Sequence, residues 1–351
     1  MKFGLFYLLE RPEDKTDAQI YQESLEQIRV AESLGYDSVW LAEHRFTAYG
    51  EMPDTLVFAA SVAAVTERMR IGTAVVVLPF HNPIRLAEQV AMVDVLSNGR
   101  FDFGVGRGYQ AGEYRGFGLS MDESRKRFEE VLDICVGLWT QDGFSFQGDH
   151  FTLDDVTIVP KPVQKPHPPI WVTVMLTPGS FKYAAERGYG VISGNPYQAD
   201  PAFAEAFTSY QGVLRDIGGE ELAKNFWALA PSFVHAEAQQ AAAIPEASWE
   251  SYRKAFVDYG SPANPDGSLP KNYESYTRWD ELRAARYENA LDLPTIFVGD
   301  PAMVIDKIEA QRAAGINNII VWMNRGGGID QSEVLKSMEI FAEQVMPHFA
   351  D

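Results

Sequence analysis

Apolar runs of strand length alternate along this chain with stretches whose apolar positions recur at helical spacing. That alternation predicts βα units and a parallel sheet. Lys2–Leu9 reads as a first strand and Asp17–Leu34 as the helix after it, with Gly35 as its stop. Ser38–Glu43, Met69–Val77 and Phe101–Val105 predict the next three strands. Asp54–Thr66, Pro83–Leu96 and Ser120–Thr140 predict the helices that follow them. Ile170–Val174, Tyr189–Ser193, Phe226–Val234 and Asn318–Met323 complete a set of eight strands, with helices over Pro178–Arg187, Ala202–Ile217 and Gln331–Val345. Open sheets rarely run to eight such regular units, so the pattern predicts an α/β fold closed as a (β/α)8 TIM barrel.

Two segments break the rhythm. About 141–169 is turn-rich, with Pro160, Pro162, Pro166, Pro168 and Pro169, and reads as a loop with a small hairpin. About 236–294, between strands seven and eight, carries Trp249, Tyr252, Phe256, Tyr273, Tyr276 and Trp279 among prolines and glycines. It reads equally as a lid over an apolar pocket and as an ordinary helical insertion. The expectation is one domain over 1–351 with these two insertions.

Composition narrows the function classes. At 46% apolar and 12% aromatic, the chain can bury a large core. Its 30 basic against 49 acidic residues leave a net charge of −19, which repels phosphate backbones and anionic membranes and argues against nucleic-acid or membrane partners. Cys135 is the single cysteine, and the six histidines, at 44, 81, 150, 167, 235 and 348, show no metal-ligand spacing. The apolar start Met1–Leu9 runs into Glu10, Arg11 and Pro12 without a cleavage site, which predicts a cytoplasmic protein.

In a TIM barrel the reactive groups follow the C-terminal ends of the strands. That filter selects Phe6 after strand one, Glu43 and His44 after strand two, and Ala74–Val77 on strand three. It also selects Gly106-Arg107-Gly108-Tyr109, Met175–Ser180, His235, and Asn324-Arg325 after later strands. Arg107 between two glycines suits a phosphate, because arginine offers paired donors and glycine permits close backbone approach. The spacing is not the dinucleotide fingerprint, since no third glycine stands at 109. Thr177-Pro178-Gly179-Ser180 opens a helix and offers hydroxyls and free amides to an anion. His44 is a natural proton carrier near neutrality. Plainer readings stand beside these: a surface arginine, a simple N-cap, a satisfied core histidine.

Several ordered segments carry a resemblance. They include Leu41-Ala42-Glu43-His44-Arg45-Phe46, Gly72-Thr73-Ala74-Val75-Val76-Val77-Leu78-Pro79, and Asn82-Pro83-Ile84-Arg85-Leu86-Ala87-Glu88-Gln89. The strongest is Gly99-Arg100-Phe101-Asp102-Phe103-Gly104-Val105-Gly106-Arg107-Gly108. Across essentially its whole length the chain resembles the bacterial luciferase-like, flavin-dependent monooxygenases. The resemblance implies a TIM barrel, usually dimeric, hence a homodimer. It implies that Arg107 holds the phosphate of FMN with help from Thr177, Gly179 and Ser180. Gly106, Gly108, Tyr109 and Met175 join the cofactor site, and a cis peptide at Ala74-Val75 backs the flavin ring. It implies that His44 is the active-site histidine.

The chemistry implied is activation of dioxygen by reduced FMN through a C4a-peroxide, with a separate flavin reductase supplying FMNH2 and a small or medium apolar organic molecule as substrate. Phe6, His235 and Tyr276 are the candidate substrate contacts, and no metal is expected. The chain departs from luciferase at Gly106, where the light-emitting catalytic chain has cysteine, at Arg45, where it has a second histidine, and in the loop after strand five. These departures weigh against light emission and a long-chain aldehyde. Two alternatives stay open: a deazaflavin-dependent dehydrogenase of the same superfamily, and a non-catalytic flavin-binding partner subunit.

Overall fold

The computed structural model describes residues 1–175, 179–194, 201–271, 273 and 286–350, with backbone alone at 201–203 and 222. Eight parallel strands close a barrel: β1 (Lys2–Tyr7), β2 (Ser38–Leu41), β3 (Arg70–Thr73), β5 (Phe101–Gly106), β8 (Ile170–Val174), β9 (Gly190–Gly194), β10 (Phe226–Val234) and β12 (Asn318–Trp322). The ring closes because β10 pairs with both β9 and β12, and β12 pairs with β1. The helices outside it include α1 (Asp17–Leu34), α2 (Thr55–Val65), α3 (Pro83–Leu96), α5 (Ser124–Thr140), α6 (Gly179–Glu186) and α7 (Pro201–Ala223). Caps explain the sharpest boundaries. Thr16 and Gln19 form a capping box at the start of α1, and Gly35 takes the left-handed conformation at its end. Among the described residues no helix is long and apolar enough to cross a membrane.

Large rings fill the lower barrel. Trp40, Trp171 and Trp227 pack against one another with centroids 5.4–6.4 Å apart. Space for these indoles comes from glycines on neighbouring strands: a Cβ at Gly72 would overlap Trp40, and one at Gly190 would overlap Trp171. The Trp171 Nε1–H donates to Asp102, which also receives two bonds from Arg70 at 2.6 and 2.9 Å. The bottom is therefore a closed core, and among the described residues the wide cavity lies toward the C-terminal ends of the strands.

Several features differ from the sequence reading, and one expected feature is present. Met69–Val77 is not one strand: it breaks at Ala74-Val75, a cis peptide, and resumes as β4 (Val76–Val77) beside β5. A short helix, α4 (Ala111–Gly116), precedes α5, where the glycines and the lack of apolar spacing predicted none. The hairpin expected within 141–169 is present as β6 (Phe144–Gln147) and β7 (Thr152–Val156). The region after β10 holds α8 (Ala238–Ala243), α9 (Glu246–Tyr259) and α10 (Tyr287–Ala290). It continues into β11 (Phe297–Gly299) and α11 (Pro301–Ala313), which the sequence reading left unassigned. β11 pairs with the far end of β10, so that strand continues past the barrel rim. The last helix is α12 (Gln331–Ile340), continued by a wider π turn over Phe341–Val345.

Candidate active site

A cavity of about 320 Å³ opens at the C-terminal mouth of the barrel. Its walls come from strand ends on every side and from α9, which contributes Trp249, Tyr252, Arg253 and Phe256. Part of the insertion over 236–294 is thus an aromatic wall of the pocket.

One side is built around the cis peptide. Ala74 and Val75 line the cavity, and the Val75 carbonyl accepts from the Glu43 amide at 3.3 Å. Val75 sits so close to β5 that a Cβ at position 106 would come within 2.6 Å of its methyl, which explains glycine there. Gly108 has φ +74°, a conformation that L side chains rarely adopt, and turns the chain back after Arg107.

Beside it lies a basic end. Arg107 and Arg125 both line the cavity, together with Ser180 and Tyr183. The Arg107 guanidinium lies 5.0 Å from the ring centroid of Tyr273, whose hydroxyl donates to the Gly108 carbonyl at 2.7 Å. Among the described residues the buried Arg107 Nη1 has no hydrogen-bond partner. Burial, and then the charge of Arg107, push the Arg125 guanidinium below its ordinary range. Two cations held this close, one with an unsatisfied buried donor, suit a dianion such as a phosphate.

His44 stands on the wall past β2. Its Nδ1 lies 3.1 Å from Oε1 of Glu113, a buried carboxylate on α4 that also accepts from the Arg45 amide at 3.0 Å. An ionised carboxylate only accepts, so Nδ1 donates to it, and in the neutral imidazole Nε2 carries the lone pair. Tyr49 and Tyr109 pack edge-on against the imidazole, and the Tyr49 hydroxyl is 2.9 Å from those of both Tyr109 and Tyr252. Burial raises all three phenols, so they remain neutral hydrogen-bonding groups. Glu43, also on the wall, is neutralised from behind by Arg45 at 2.7 Å and His81 at 3.2 Å. Burial acts to raise its carboxyl, but those cations together hold it below the ordinary value.

The sequence candidates divide as follows. Phe6, His44, Ala74, Val75, Gly106, Arg107, Gly108, Tyr109, Met175 and Ser180 all line this one cavity. Gly179 opens α6 but is exposed and off the wall. Thr177 and Tyr276 lie outside the described residues. His235 is a correction: it follows β10 where that strand has left the barrel for β11, and its ring bonds Lys336 and the Glu237 amide at the surface. Sequence reasoning missed Glu113, Arg125 and Tyr49, and named Tyr252 only as one aromatic of the insertion. Arg125 sat unremarked inside a predicted helix, and Glu113 on a helix too short and glycine-rich to show. Among the described residues no cluster of histidine, cysteine and carboxylates suits a metal ion.

The barrel mouth thus joins aromatic walls, a basic end and a histidine–carboxylate pair. Residues 1–318 match the model of the luciferase-like monooxygenase family, and the chain belongs to that family. It is 28% identical to the oxygenase component of a flavin-dependent trigonelline monooxygenase from Acinetobacter baylyi, covering 100% of this chain and 96% of the relative. It is 27% identical to an alkanal monooxygenase alpha chain from Photorhabdus luminescens, over 99% and 96% of the two chains. A monooxygenase structure from Streptomyces bottropensis superposes with a TM-score of 0.82 at 28% identity, covering both chains completely.

Proposed function

We propose that this chain is the oxygenase component of a two-component, FMN-dependent monooxygenase acting on a small or medium organic molecule with an apolar body. The observation that carries the reading is the unsatisfied buried Nη1 of Arg107 beside Arg125, at the end of a cavity that runs past the Ala74-Val75 peptide to His44. Arg107, Arg125 and Ser180 would hold the phosphate, and the Ala74-Val75 segment with Gly106 would lie against the flavin ring. Reduced flavin, when bound, supplies the electrons and the carbon at which dioxygen is activated.

The chain's own work is positioning and exclusion of water. Phe6, Trp322, Tyr252 and Phe256 make that side of the cavity apolar, which limits wasteful release of hydrogen peroxide. His44, oriented by Glu113, presents Nε2 as the atom that holds or moves the proton needed during oxygen transfer. Glu113 acts through His44 and is a positioning residue. The presence of both His44 and Arg107 on this one cavity supports a catalytic chain over a silent partner subunit.

A separate flavin reductase is part of the reading, supported by the relative described as an oxygenase component. A homodimer is supported by apolar side chains left exposed on the outer helices α2 and α3: Val57, Met92, Val95 and Leu96. The reading assigns the chain to the cytoplasm, where its one thiol stays reduced.

The test is anaerobic binding of reduced FMN and of a reduced deazaflavin in parallel, followed by mixing with dioxygen under absorbance. Tight FMN binding, with reoxidation markedly slower or biphasic relative to free FMNH2, is expected. Selective binding of the deazaflavin, or reoxidation identical to that of free flavin, overturns the proposal.

A further inference from the structure

We infer that the cavity holds a second, separate anion site at Arg325, and that the substrate is an aromatic or similarly planar organic acid whose carboxylate this arginine receives. The inference rests on the flavin reading for its assignment of the Arg107 end. Among the described residues four guanidiniums, Arg107, Arg125, Arg253 and Arg325, face a cavity with a single lining carboxylate, Glu43, which Arg45 and His81 already satisfy. In a chain of net charge −19 that concentration of positive charge runs against the composition.

Arg325 cannot serve the same anion as Arg107. Arg107 follows β5 and Arg325 follows β12, four strands apart in a ring of eight, so the two stand on opposite sides of the mouth. Arg253 differs from both, because Glu250 pairs with it at 2.6 Å. The Arg325 guanidinium lies over three rings, 3.9 Å from the centroid of Trp249, 4.2 Å from Tyr252 and 5.1 Å from Trp322. Among the described residues its buried Nε lacks a hydrogen-bond partner, while the Tyr252 hydroxyl bonds the same guanidinium. Glu10 is the nearest balancing acid, but burial raises its carboxyl to about 7 and its Oε1 is spent on the Gly326 amide at 2.9 Å.

The chemistry of this corner selects the ligand. A planar guanidinium edge with a free Nε matches the two oxygens of a carboxylate. One cation balances a monoanion, whereas a phosphate dianion is better met by the Arg107–Arg125 pair. The rings that hold Arg325 also form the adjacent wall, with Phe6 edge-on to Trp322 at 4.9 Å, so a flat apolar body fits beside the charged group. The hydroxyls of Tyr49, Tyr109 and Tyr252, hydrogen-bonded to one another, line the same cavity as neutral groups.

Benzoate and its neutral counterpart benzamide are the probes, titrated by calorimetry into the full-length protein with FMN affinity measured on the same preparations. Benzoate is expected to bind at least tenfold more tightly than benzamide, and 10 mM inorganic phosphate should leave that preference in place. Arg325→Gln should abolish the preference while changing FMN affinity less than twofold. Should that variant fail to fold, Arg325→Lys is expected to weaken benzoate at least threefold and benzamide not at all. Equal binding of the two probes by the wild-type protein overturns the inference, as does a preference that survives substitution or is displaced by phosphate. FMN binding without discrimination of the probes removes this inference alone; discrimination without FMN binding removes the flavin reading and leaves the acid site.

Discussion

Replacing Arg107 by alanine separates a ligand-holding role from a structural one, because the two predict opposite results. In the folded protein its Nη1 has no partner and its nearest cation is Arg125, so the apo structure gains no ion pair from it. The fold loses the contact with the Tyr273 ring, worth about 0.5–1 kcal/mol. It gains relief of repulsion on Arg125. These terms oppose, and the melting temperature should move by about 2 °C or less. Flavin binding should respond quite differently. A charge-assisted hydrogen bond to a phosphate is worth about 1.5–3 kcal/mol, which corresponds to a loss of about ten- to a hundredfold in FMN affinity. Arg125 remains, so binding should weaken and not vanish. The assay is quenching of flavin fluorescence with FMN and riboflavin in parallel. Riboflavin lacks the phosphate, and its dissociation constant should change less than about twofold. Unchanged FMN affinity, or equal weakening of both flavins, would refute the assignment of this end of the cavity to a phosphate.

Three further outcomes are expected. His44→Ala should leave FMN affinity within about threefold while product per reduced flavin falls by roughly a hundredfold, with hydrogen peroxide appearing instead; a wild-type product yield would remove His44 from the chemistry. Burial raises Glu10 from an ordinary carboxyl value to about 7, against the opposing pull of the Gly326 amide. The folded state thus keeps a proton that the unfolded chain has released, so stability from this group is full below about pH 4.5 and is lost as pH rises through about 7. Between pH 5 and 8, Glu10→Gln should therefore gain up to about 3 kcal/mol relative to wild type in urea denaturation, and parallel curves would contradict this. Gly190→Ala places a methyl onto the Trp171 indole and should lower stability by about 1–3 kcal/mol, read as a shift of the urea midpoint. A neutral result would mean that the three-indole layer can repack.

The linear pattern carried most of the architecture. The ranges expected for α1, α3, β8 and β10 coincide with those observed, because apolar periodicity and end caps act over a few residues and are written locally. Ten of the expected cavity residues meet in one space for a related reason: a closed parallel barrel sends every strand end to the same rim. What lay beyond reach depended on contacts between distant segments. Glu113 orients His44 across 69 positions, and Tyr252 joins Tyr49 across 203. Arg325 gains its meaning only when α9 brings Trp249 and Tyr252 against it. His235 obeyed the strand-end rule, yet β11 draws its strand past the rim and turns the ring to Lys336. Periodicity tells which face of an element is apolar. Which polar groups are left inside without a partner, and so stand ready for a ligand, follows from ring closure and the path of the insertion, because burial and pairing are properties of neighbours in space.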